Sequence, residues 1–417
     1  MKIALMFPGS GTHYAGMGQA WHGTYPIVRD TFDEASERMG FSFLDLCSSE
    51  KLQQGMDLVT AQAAVFVCSV AAYRVYMQEV GITPYLSAGH SLGEYAALVS
   101  ADALSYVDAL DLVCLRSKLM IEAADHRASG VMACKQLPIE VTRREVMNWN
   151  RNYPDRPVDL ACYNAEDQAV ISGYLPDTEQ LAATLEELGG RAIPLSIQVP
   201  IHSRQLQGAV APFREQLART PIQMPKWPVI SNVTAKPYED VEAIVTGLAM
   251  QLTQPVQWLD TVRNMQRSGV SHALELGPKS TLSTLTKRTA RNIRTYALDK
   301  ADDLPKILTL KYSTEDLIGK CLAHAVSCRN RNDDTKQYAS QVAEPYHKLA
   351  ELANAHAERS TGSRSEQEDE LQKAIELLVR IMKGKKVPED EQRRRLNRLY
   401  AEGCVAARGI DDLAKSY

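Results

Sequence analysis

Short apolar runs that end in glycine or proline alternate with helix-like patterns along the chain as far as about residue 125. The first run, Met1–Phe7, is followed by Pro8 and Gly9, and a later strand-like run, Pro84–Ala88, is followed by Gly89. Strand and helix patterns that alternate in this way are typical of a parallel sheet covered by helices. We therefore expect an α/β-hydrolase-like core with a parallel sheet.

A different pattern begins at Gly130. The order becomes strand, helix, strand, strand, helix, strand, with strand-like segments at 131–134, 158–163, 169–173 and 191–195 and a second helix from about 177 to 188. This order matches a ferredoxin-like unit. We expect residues 128–196 to form a ferredoxin-like subdomain inserted into a core made of residues 1–127 and 197–305, to which strand-like segments at 228–232 and 272–276 belong.

Beyond about residue 306 the chain becomes helix-like and rich in charge, and we expect residues 306–417 to form a C-terminal helical extension. The polar segment 358–366 has the composition of a linker. An apolar helix face follows, made of Leu371, Ala374, Ile375, Leu378, Val379 and Met382. Core packing is the commonest cause of such a face, so we expect internal packing, with partner binding as the alternative.

Composition and charge narrow the classes of function. With 45% hydrophobic and 24% charged residues, the chain has the composition of an ordinary globular protein. The formal net charge of -4 argues against a nucleic-acid binder, and no uninterrupted apolar run reaches the roughly 18 residues of a membrane span. The eight cysteines lack metal-ligand spacing. We expect buried free thiols, no metal site and a cytoplasmic location.

The strongest chemical signal is the motif Gly89-His90-Ser91-Leu92-Gly93, which lies between a predicted strand and a predicted helix. This is the context of a nucleophile elbow, in which the serine sits on a sharp turn and the two glycines avoid collisions with neighbouring backbone. Ser91 would then stand at a helix N-terminus, where free N–H groups and the helix dipole favour the negative charge of acyl transfer. The motif predicts a serine nucleophile.

A serine nucleophile requires a general base, because its hydroxyl is almost never ionised at neutral pH. Among the nine histidines, His90 adjoins the nucleophile but should point away from it and line the pocket. His202 follows the return of the chain from the small subdomain to the core, where a pocket edge should lie. His202 is therefore the candidate base. No acidic residue stands out as a third member, so either a backbone carbonyl or an unrecognised acid orients the imidazole.

These motifs, together with four other parts of the chain, resemble the malonyl-CoA:acyl carrier protein transacylase family from residue 1 to about residue 300. The other parts are the opening segment 7–12, the segment 115–120, and the segments 251–258 and 275–279. The resemblance implies that Ser91 carries the acyl group, that His202 is the base, and that the backbone carbonyl of Gln251 orients His202. It also implies an oxyanion hole formed by the backbone N–H groups of Leu92 and Ser10.

The resemblance further implies a set of substrate-binding residues: Arg116, His90, Asn164 and Ile201. Arg116 would clamp the free carboxylate of a malonyl group, a task that suits a planar guanidinium, although a solvated helix residue is the alternative. Ile201 precedes the base at a position linked to the choice of acyl group. Its bulk leaves little room for an α-methyl group and favours malonyl, but one methyl group is worth only about 1–3 kcal/mol.

The chain departs from the family pattern at four positions. Ser10, Thr12 and His13 replace Gln, Ser and Gln in the opening motif, and Ser117 stands where glycine is common after the arginine. Since Ser10 contributes a backbone N–H, its side-chain change need not abolish the oxyanion hole. The changes affect pocket polarity and access of water.

The function implied by the resemblance is transfer of malonyl from malonyl-CoA to the phosphopantetheine thiol of an acyl carrier protein. No tightly bound cofactor is implied, and a discrete chain would act in trans in fatty-acid or polyketide synthesis. Steering of the carrier protein or a solvated helix face would equally explain a basic segment made of Lys279, Lys287, Arg288, Arg291 and Arg294.

Two alternatives belong to other classes. One is a hydrolase of the same fold that removes acyl groups from carrier proteins. The altered loop 10–13 favours this alternative, whereas Arg116 argues against it, because a simple acyl chain has no carboxylate for the arginine to clamp. The other is a non-catalytic scaffold that binds partners through the extension, against which Ser91 and His202 both argue. For the extension itself we expect contacts with other synthase proteins or with the catalytic core.

Overall fold

The computed structural model describes residues 1–48, 57–124, 128–197, 199–310, 315–358 and 364–403. The chain divides into two compact units. The core unit consists of residues 2–79 and 84–307, and the extension unit consists of Met1, residues 80–83 and the chain from Leu308 onward. The domain limits drawn from the sequence stay predictions, because compactness alone does not define where an independently folding domain ends.

The strands of the core unit form two sheets. In chain order they are β1 (Ile3–Phe7), β2 (Leu86–Gly89), β3 (Ser129–Lys135), β4 (Asp159–Ala165), β5 (Gln168–Tyr174), β6 (Arg191–Pro194), β7 (Val229–Ile230), β8 (His272–Glu275) and β9 (Arg294–Ala297). The first sheet has the order β7-β2-β1-β8-β9, and its neighbouring strands pair in parallel. The predicted α/β core with a parallel sheet is confirmed.

Strand β1 is the centre of the parallel sheet and is buried at all five positions. A strand covered on both faces has no solvent-facing side, which explains its unbroken apolar run. Strand β9, at the edge of the sheet, was not predicted. It begins at Arg294, one of the five basic residues for which the sequence allowed a helix face. Its two buried residues alternate with an exposed and a half-buried one, a pattern too short to mark a strand.

Helices surround these sheets. Before residue 310 the chain forms α1 (Gln19–Thr24), α2 (Pro26–Met39), α3 (Phe43–Ser48), α4 (Leu58–Glu79), α5 (Gly93–Ser100), α6 (Tyr106–Ala123), α7 (Ile139–Asn152), α8 (Leu175–Glu187), α9 (Gln207–Arg219), α10 (Val241–Met250), α11 (Trp258–Arg267), α12 (Thr281–Thr289) and α13 (Leu304–Thr309). A short 3-10 turn, Arg204–Leu206, leads into α9.

Helix α4 is long and apolar enough to cross a membrane by length and composition, with a mean hydropathy of 1.6 over its most apolar window. However, 78% of that window is buried inside the protein, where α4 packs against α2, α5 and α6. A core helix surrounded by other helices needs no polar face, so the same composition arises without a bilayer.

The second sheet is antiparallel, with the strand order β4-β5-β3-β6. With α7 after β3 and α8 after β5, the chain order and the sheet order are those of the predicted ferredoxin-like subdomain. The two helices cover one face of the sheet through a cluster that includes Val146, Trp149, Ile171, Leu181 and Leu185. Helix α8 begins at Leu175, slightly earlier than predicted, because Pro176 fits the first turn of a helix.

The extension unit is helical, as its pattern predicts. Its helices are α14 (Glu315–Ser327), α15 (Thr335–Tyr338), α16 (Glu344–Glu358), α17 (Arg364–Gly384) and α18 (Glu389–Gly403), and a π-helical turn, Ala339–Ala343, connects α15 to α16. The predicted apolar face lies on α17, where Ala374, Leu378 and Met382 are fully buried in a cluster with α14 and α16. The face packs internally. Of the predicted linker, residues 359–363 lie outside the described residues and α17 begins at Arg364.

Candidate active site

Ser91 lies on the turn between β2 and α5, in a left-handed backbone conformation with φ of 52°. Only a sharp turn forces a serine into this region. A Cβ on Gly89 would lie 1.9 Å from the carbonyl carbon of Gly93, and one on Gly93 would lie 2.0 Å from the carbonyl oxygen of Phe7. Both glycines are therefore required sterically, and the turn has the geometry of the predicted elbow.

The structure places His202 beside Ser91, the predicted nucleophile. Its Nε2 atom lies 2.7 Å from Ser91 Oγ, and its Nδ1 atom lies 2.6 Å from the backbone carbonyl oxygen of Gln251. Because a carbonyl oxygen can only accept a hydrogen bond, the imidazole proton is assigned to Nδ1. This leaves the lone pair of Nε2 facing the Ser91 hydroxyl, as a general base requires.

The surroundings of His202 keep it neutral. Burial lowers the pKa of His202 to about 3, and the nearby guanidinium of Arg116 acts in the same direction. The hydrogen bond to the Gln251 carbonyl acts in the opposite direction but is weaker. At neutral pH the imidazole is therefore uncharged and available to take a proton.

Arg116 is 1% exposed on helix α6, which excludes the alternative of a solvated helix residue. Its Nη1 donates to Gln62 Oε1 at 3.0 Å, and its Nη2 donates to Gln251 Oε1 at 3.0 Å and to Ser91 Oγ at 3.3 Å. Its Nε is buried and has no hydrogen-bond partner among the described residues. In the described part of the chain the guanidinium forms no ion pair, so its hydrogen-bond partners are all neutral. A buried cation of this kind favours an anionic ligand.

Ser10 follows β1 and Leu92 follows Ser91, so both predicted oxyanion donors lie on loops at the same edge of the parallel sheet. Within the described ranges, neither backbone N–H has a hydrogen-bond acceptor in the protein. The loop that carries Ser10 is held by Thr12 Oγ1, which donates to the carbonyl of Gly9 at 2.8 Å, and by the N–H of His90, which donates to Phe7 at 2.9 Å. The assignment of the oxyanion hole stays a prediction.

His90 and Asn164, both predicted to line the substrate pocket, contact each other. His90 Nε2 lies 2.8 Å from Asn164 Oδ1, and the His90 ring packs on Trp258 with a centroid separation of 5.6 Å. Since Asn164 lies on β4, this contact joins the elbow to the ferredoxin-like subdomain. Ile201 is buried directly before His202. The roles of His90, Asn164 and Ile201 in binding stay predictions.

Sequence reasoning missed two polar residues that hold the elbow. Asn232 Oδ1 accepts from the N–H of Ser91 at 2.6 Å, and Asn232 Nδ2 donates to the carbonyl of Gly89 at 2.6 Å. Glu94 is fully buried and accepts from Gln251 Nε2 at 2.6 Å. A charged residue near the start of an otherwise apolar helix was the available signal for Glu94, whereas Asn232 follows a two-residue strand and had none.

Two of the sequence departures and the basic segment also have defined surroundings. Ser117 Oγ donates to Gln62 Oε1, the atom that also accepts from Arg116. His13 is partly buried beside Lys279, and burial and this lysine lower the pKa of His13. The five basic residues are exposed, but Arg288 pairs with Asp167. The predicted steering of a carrier protein by this segment stays a prediction.

The described residues contain no group of three or more histidine, cysteine or acidic side chains arranged to hold a metal ion. The described cysteines, Cys47, Cys68, Cys114, Cys134, Cys162, Cys321 and Cys328, are buried free thiols, and Cys404 lies outside the described residues. The chemistry that the site offers is that of a serine nucleophile with a neutral histidine base and a buried cation.

Comparison with known proteins gives consistent matches. Residues 5–320 match the family model of the acyl transferase domain. The chain is 32% identical over 403 residues to a malonyl CoA-acyl carrier protein transacylase of Bacillus subtilis, covering 94% of this chain and 99% of the relative. It is 34% identical over 310 residues to the enzyme of the same name from Escherichia coli K12, covering 74% of this chain and 99% of the relative.

Solved structures agree with these matches. The crystal structure of FabD from Acinetobacter baumannii is 32% identical with a TM-score of 0.71, covering 75% of this chain and 99% of that chain. A malonyl-transacylase in complex with its type II PKS acyl-carrier protein is 32% identical with a TM-score of 0.70, covering 74% of this chain and 99% of that chain. The shares covered by the two structures fit the length of the core unit, whereas the match to the B. subtilis relative runs on into the extension.

Proposed function

The chain belongs to the malonyl-CoA:acyl carrier protein transacylase family, and from this membership we propose that it transfers a malonyl group from malonyl-CoA to the phosphopantetheine thiol of an acyl carrier protein. It is an acyltransferase that uses malonyl-CoA as a substrate. The observation that carries the proposal is the contact of 2.7 Å between Ser91 Oγ and a neutral His202, beside the buried cation Arg116.

In the first half of the reaction Ser91 Oγ attacks the thioester carbonyl of malonyl-CoA while His202 Nε2 takes the hydroxyl proton. The tetrahedral intermediate carries negative charge on the former carbonyl oxygen, toward which the N–H groups of Leu92 and Ser10 donate. When the carbon–sulfur bond breaks, His202 returns the proton to the sulfur of coenzyme A. The product is malonyl-Ser91.

In the second half the phosphopantetheine thiol of the carrier protein occupies the place of coenzyme A. His202 removes the thiol proton as sulfur attacks the ester carbonyl, and it then protonates Ser91 Oγ as the ester bond breaks. The second half is the reverse of the first at the same atoms, with a different thiol. A base with an uncharged starting state serves both of them, which is what burial of His202 provides.

Arg116 supports malonyl as the acyl group. Its hydrogen-bond partners Gln62, Gln251 and Ser91 are neutral, and the buried carboxylate of Glu94 attracts the guanidinium without forming a salt bridge among the described residues. A buried charge with no counterion in direct contact is costly, and the free carboxylate of a malonyl group lowers that cost by pairing with it. Acetyl or longer simple acyl groups would leave the cation unpaired, which also disfavours a hydrolase that clears such groups.

For the location of the enzyme we propose the cytoplasm. The seven described cysteines are free thiols, as is usual in a reducing compartment. Fractionation of cells that express the chain, followed by detection in the soluble or membrane fraction, tests this proposal.

The experiment that tests the function is intact-protein mass spectrometry. The enzyme is mixed with malonyl-CoA and then with holo acyl carrier protein, alongside Ser91→Ala and a control, Ser340→Ala, at an exposed serine of the extension. We expect a malonyl adduct on the wild type and on Ser340→Ala that is absent from Ser91→Ala and passes to the holo carrier but not to the apo carrier. If the malonyl group is instead lost to water and none appears on the carrier protein, the enzyme is a hydrolase and the proposal is wrong.

A further inference from the structure

Glu94 is a buried carboxylate on which three hydrogen-bond donors converge. It lies on helix α5, three residues after Ser91, and is 0% exposed. Its Oε1 accepts from the hydroxyl of Tyr238 at 2.7 Å and from the N–H of Asn232 at 2.9 Å. Its Oε2 accepts from Gln251 Nε2 at 2.6 Å. Within the described residues it forms no salt bridge, although the positive charge of Arg116 attracts it from a longer distance.

The first arm of this arrangement, the hydrogen bond between Glu94 Oε2 and Gln251, connects Glu94 to His202 and Arg116. Gln251 Nε2 donates both to Glu94 and to the backbone carbonyl of Ser91, the latter at 3.0 Å. With the amide nitrogen held on that side, Gln251 Oε1 must face the opposite way, where it accepts from Arg116 at 3.0 Å. The backbone carbonyl of the same residue accepts from His202. Glu94 therefore fixes Gln251, a residue that contacts His202, Arg116 and the elbow.

The second arm, the hydrogen bond between Glu94 Oε1 and the N–H of Asn232, connects Glu94 to Ser91. The Asn232 N–H that donates to Glu94 belongs to the residue whose side chain accepts from the N–H of Ser91 and donates to the carbonyl of Gly89. This amide therefore spans the turn from Gly89 to Ser91, on which Ser91 has its left-handed conformation. Displacing Asn232 would release the turn that presents Ser91 Oγ.

A carboxylate at this position is costly, because burial disfavours its charged form and raises the pKa of Glu94 to about 7. A glutamine of the same shape would avoid that cost but carries an NH2 group. This NH2 would face either Gln251 Nε2 or the N–H of Asn232, so one donor would meet another donor. Only a group that can accept from both arms satisfies the geometry.

We propose that Glu94 is a positioning residue for the transfer reaction, which holds the Gln251 amide and the Asn232 elbow support at once through its two carboxylate oxygens. The inference rests on the proposed function for the reaction that it serves. It assigns to Glu94 no contact with the substrate, since its effect passes through Gln251 and Asn232.

The core unit contains a matched control. Glu275, at the end of β8, is also 0% exposed, and burial raises its pKa to about 7 as well. It accepts from the N–H groups of Leu282 and Ser283 at the start of α12, at 3.0 and 2.7 Å. Glu275→Gln makes the same chemical change as Glu94→Gln at a buried carboxylate that serves a helix terminus.

The test compares Glu94→Gln with Glu275→Gln by two readouts. One is the rate at which a fluorophosphonate labels Ser91, followed by intact mass, which requires no acyl substrate. The other is kcat and KM for malonyl transfer. We expect Glu94→Gln to slow labelling and lower kcat by about tenfold or more, and Glu275→Gln to stay within about twofold of wild type, since misplacement of reacting groups is costly and helix capping is remote from them.

Labelling of Ser91 in Glu94→Gln at the wild-type rate would overturn the inference, and so would equal slowing in both variants. If Glu94→Gln does not fold, Glu94→Asp keeps the charge but is one methylene shorter and cannot reach both Gln251 and Asn232; slow labelling of that variant supports the inference and wild-type labelling overturns it. A wild-type protein that is labelled at Ser91 but accepts no malonyl would contradict the proposed function alone, because the labelling comparison still decides the role of Glu94.

Discussion

His202 Nδ1 donates to the backbone carbonyl oxygen of Gln251 across 2.6 Å, so a neutral main-chain dipole orients the proposed base where many serine enzymes use a carboxylate. A carbonyl stabilises an imidazolium less than a carboxylate does, and burial and Arg116 disfavour it further. As the proposed base, His202 would therefore begin each half-reaction uncharged. Because the acceptor belongs to the backbone, no side-chain substitution at position 251 removes it.

His202→Ala is expected to slow loading of malonyl on Ser91 by about 10²–10⁴-fold, the usual contribution of a general base, with little change in KM. Rapid-quench intact mass spectrometry measures the rate. His347→Ala, at an exposed histidine of α16, is the control and should load at the wild-type rate. Loading of His202→Ala within a few-fold of wild type would mean that another group takes the proton.

The rate at which Ser91 reacts should fall only well below neutral pH, since the pKa of His202 is lowered to about 3; this fall is the acid limb of the pH profile. Arg116→Met removes the neighbouring positive charge, which favours the imidazolium and raises the pKa of His202. The acid limb should then move to higher pH. Rates of fluorophosphonate labelling from below about pH 3 up to about pH 8 measure it without involving a malonyl carboxylate. An unchanged limb, or one that moves to lower pH, would contradict this coupling.

Arg116→Ala should lower malonyl loading relative to acetyl loading by about 10- to 100-fold, because a hydrogen bond to a charged group is worth about 1.5–3 kcal/mol. Arg116→Lys keeps the charge but loses the planar guanidinium, so its selectivity should fall between that of the wild type and that of Arg116→Ala. Competition between malonyl-CoA and acetyl-CoA, read as the ratio of the two adducts on Ser91, measures the change. Equal loss of both adducts would indicate that Arg116 supports the fold or the nucleophile instead of the acyl carboxylate.

Ile201→Ser should raise the ratio of methylmalonyl to malonyl loading by about tenfold or more, since one methyl group in an apolar pocket is worth about 1–3 kcal/mol. The side chain is buried directly before His202, so a smaller residue leaves space close to the base. Ile201→Val is the conservative comparison and should change the ratio less. The prediction is wrong if Ile201→Ser lowers the loading of both acyl groups together without changing their ratio.

Gly93→Ala should destabilise the protein by about 1–3 kcal/mol or more, or prevent folding, because the added Cβ would lie 2.0 Å from the carbonyl oxygen of Phe7. Gly23→Ala, in helix α1, is the control: nothing lies within 4 Å of its added Cβ, and stability should stay unchanged or rise. Urea unfolding followed by circular dichroism compares the two. Equal stability of both variants would show that β1 and α5 can separate without cost.

The sequence by itself determined those parts of the protein that follow from local rules. A serine between two glycines at a strand-to-helix turn specifies its own backbone geometry, and apolar periodicity specifies where strands and helices lie. The unbroken apolar run of β1 and the strand and helix order of the small subdomain are of this kind. Strand β9 escaped prediction because four residues at a sheet edge carry too little pattern.

Only the tertiary structure decided which polar groups meet around Ser91. His202 lies 111 residues along the chain from Ser91, and Gln251 lies 49 residues from His202, so no local pattern links them. Parallel strands bring the loops that follow them to one edge of a sheet, which is where such distant residues come together. Glu94 illustrates the limit: its charge in an apolar helix is visible in the sequence, but the convergence of Tyr238, Asn232 and Gln251 on it depends on long-range packing.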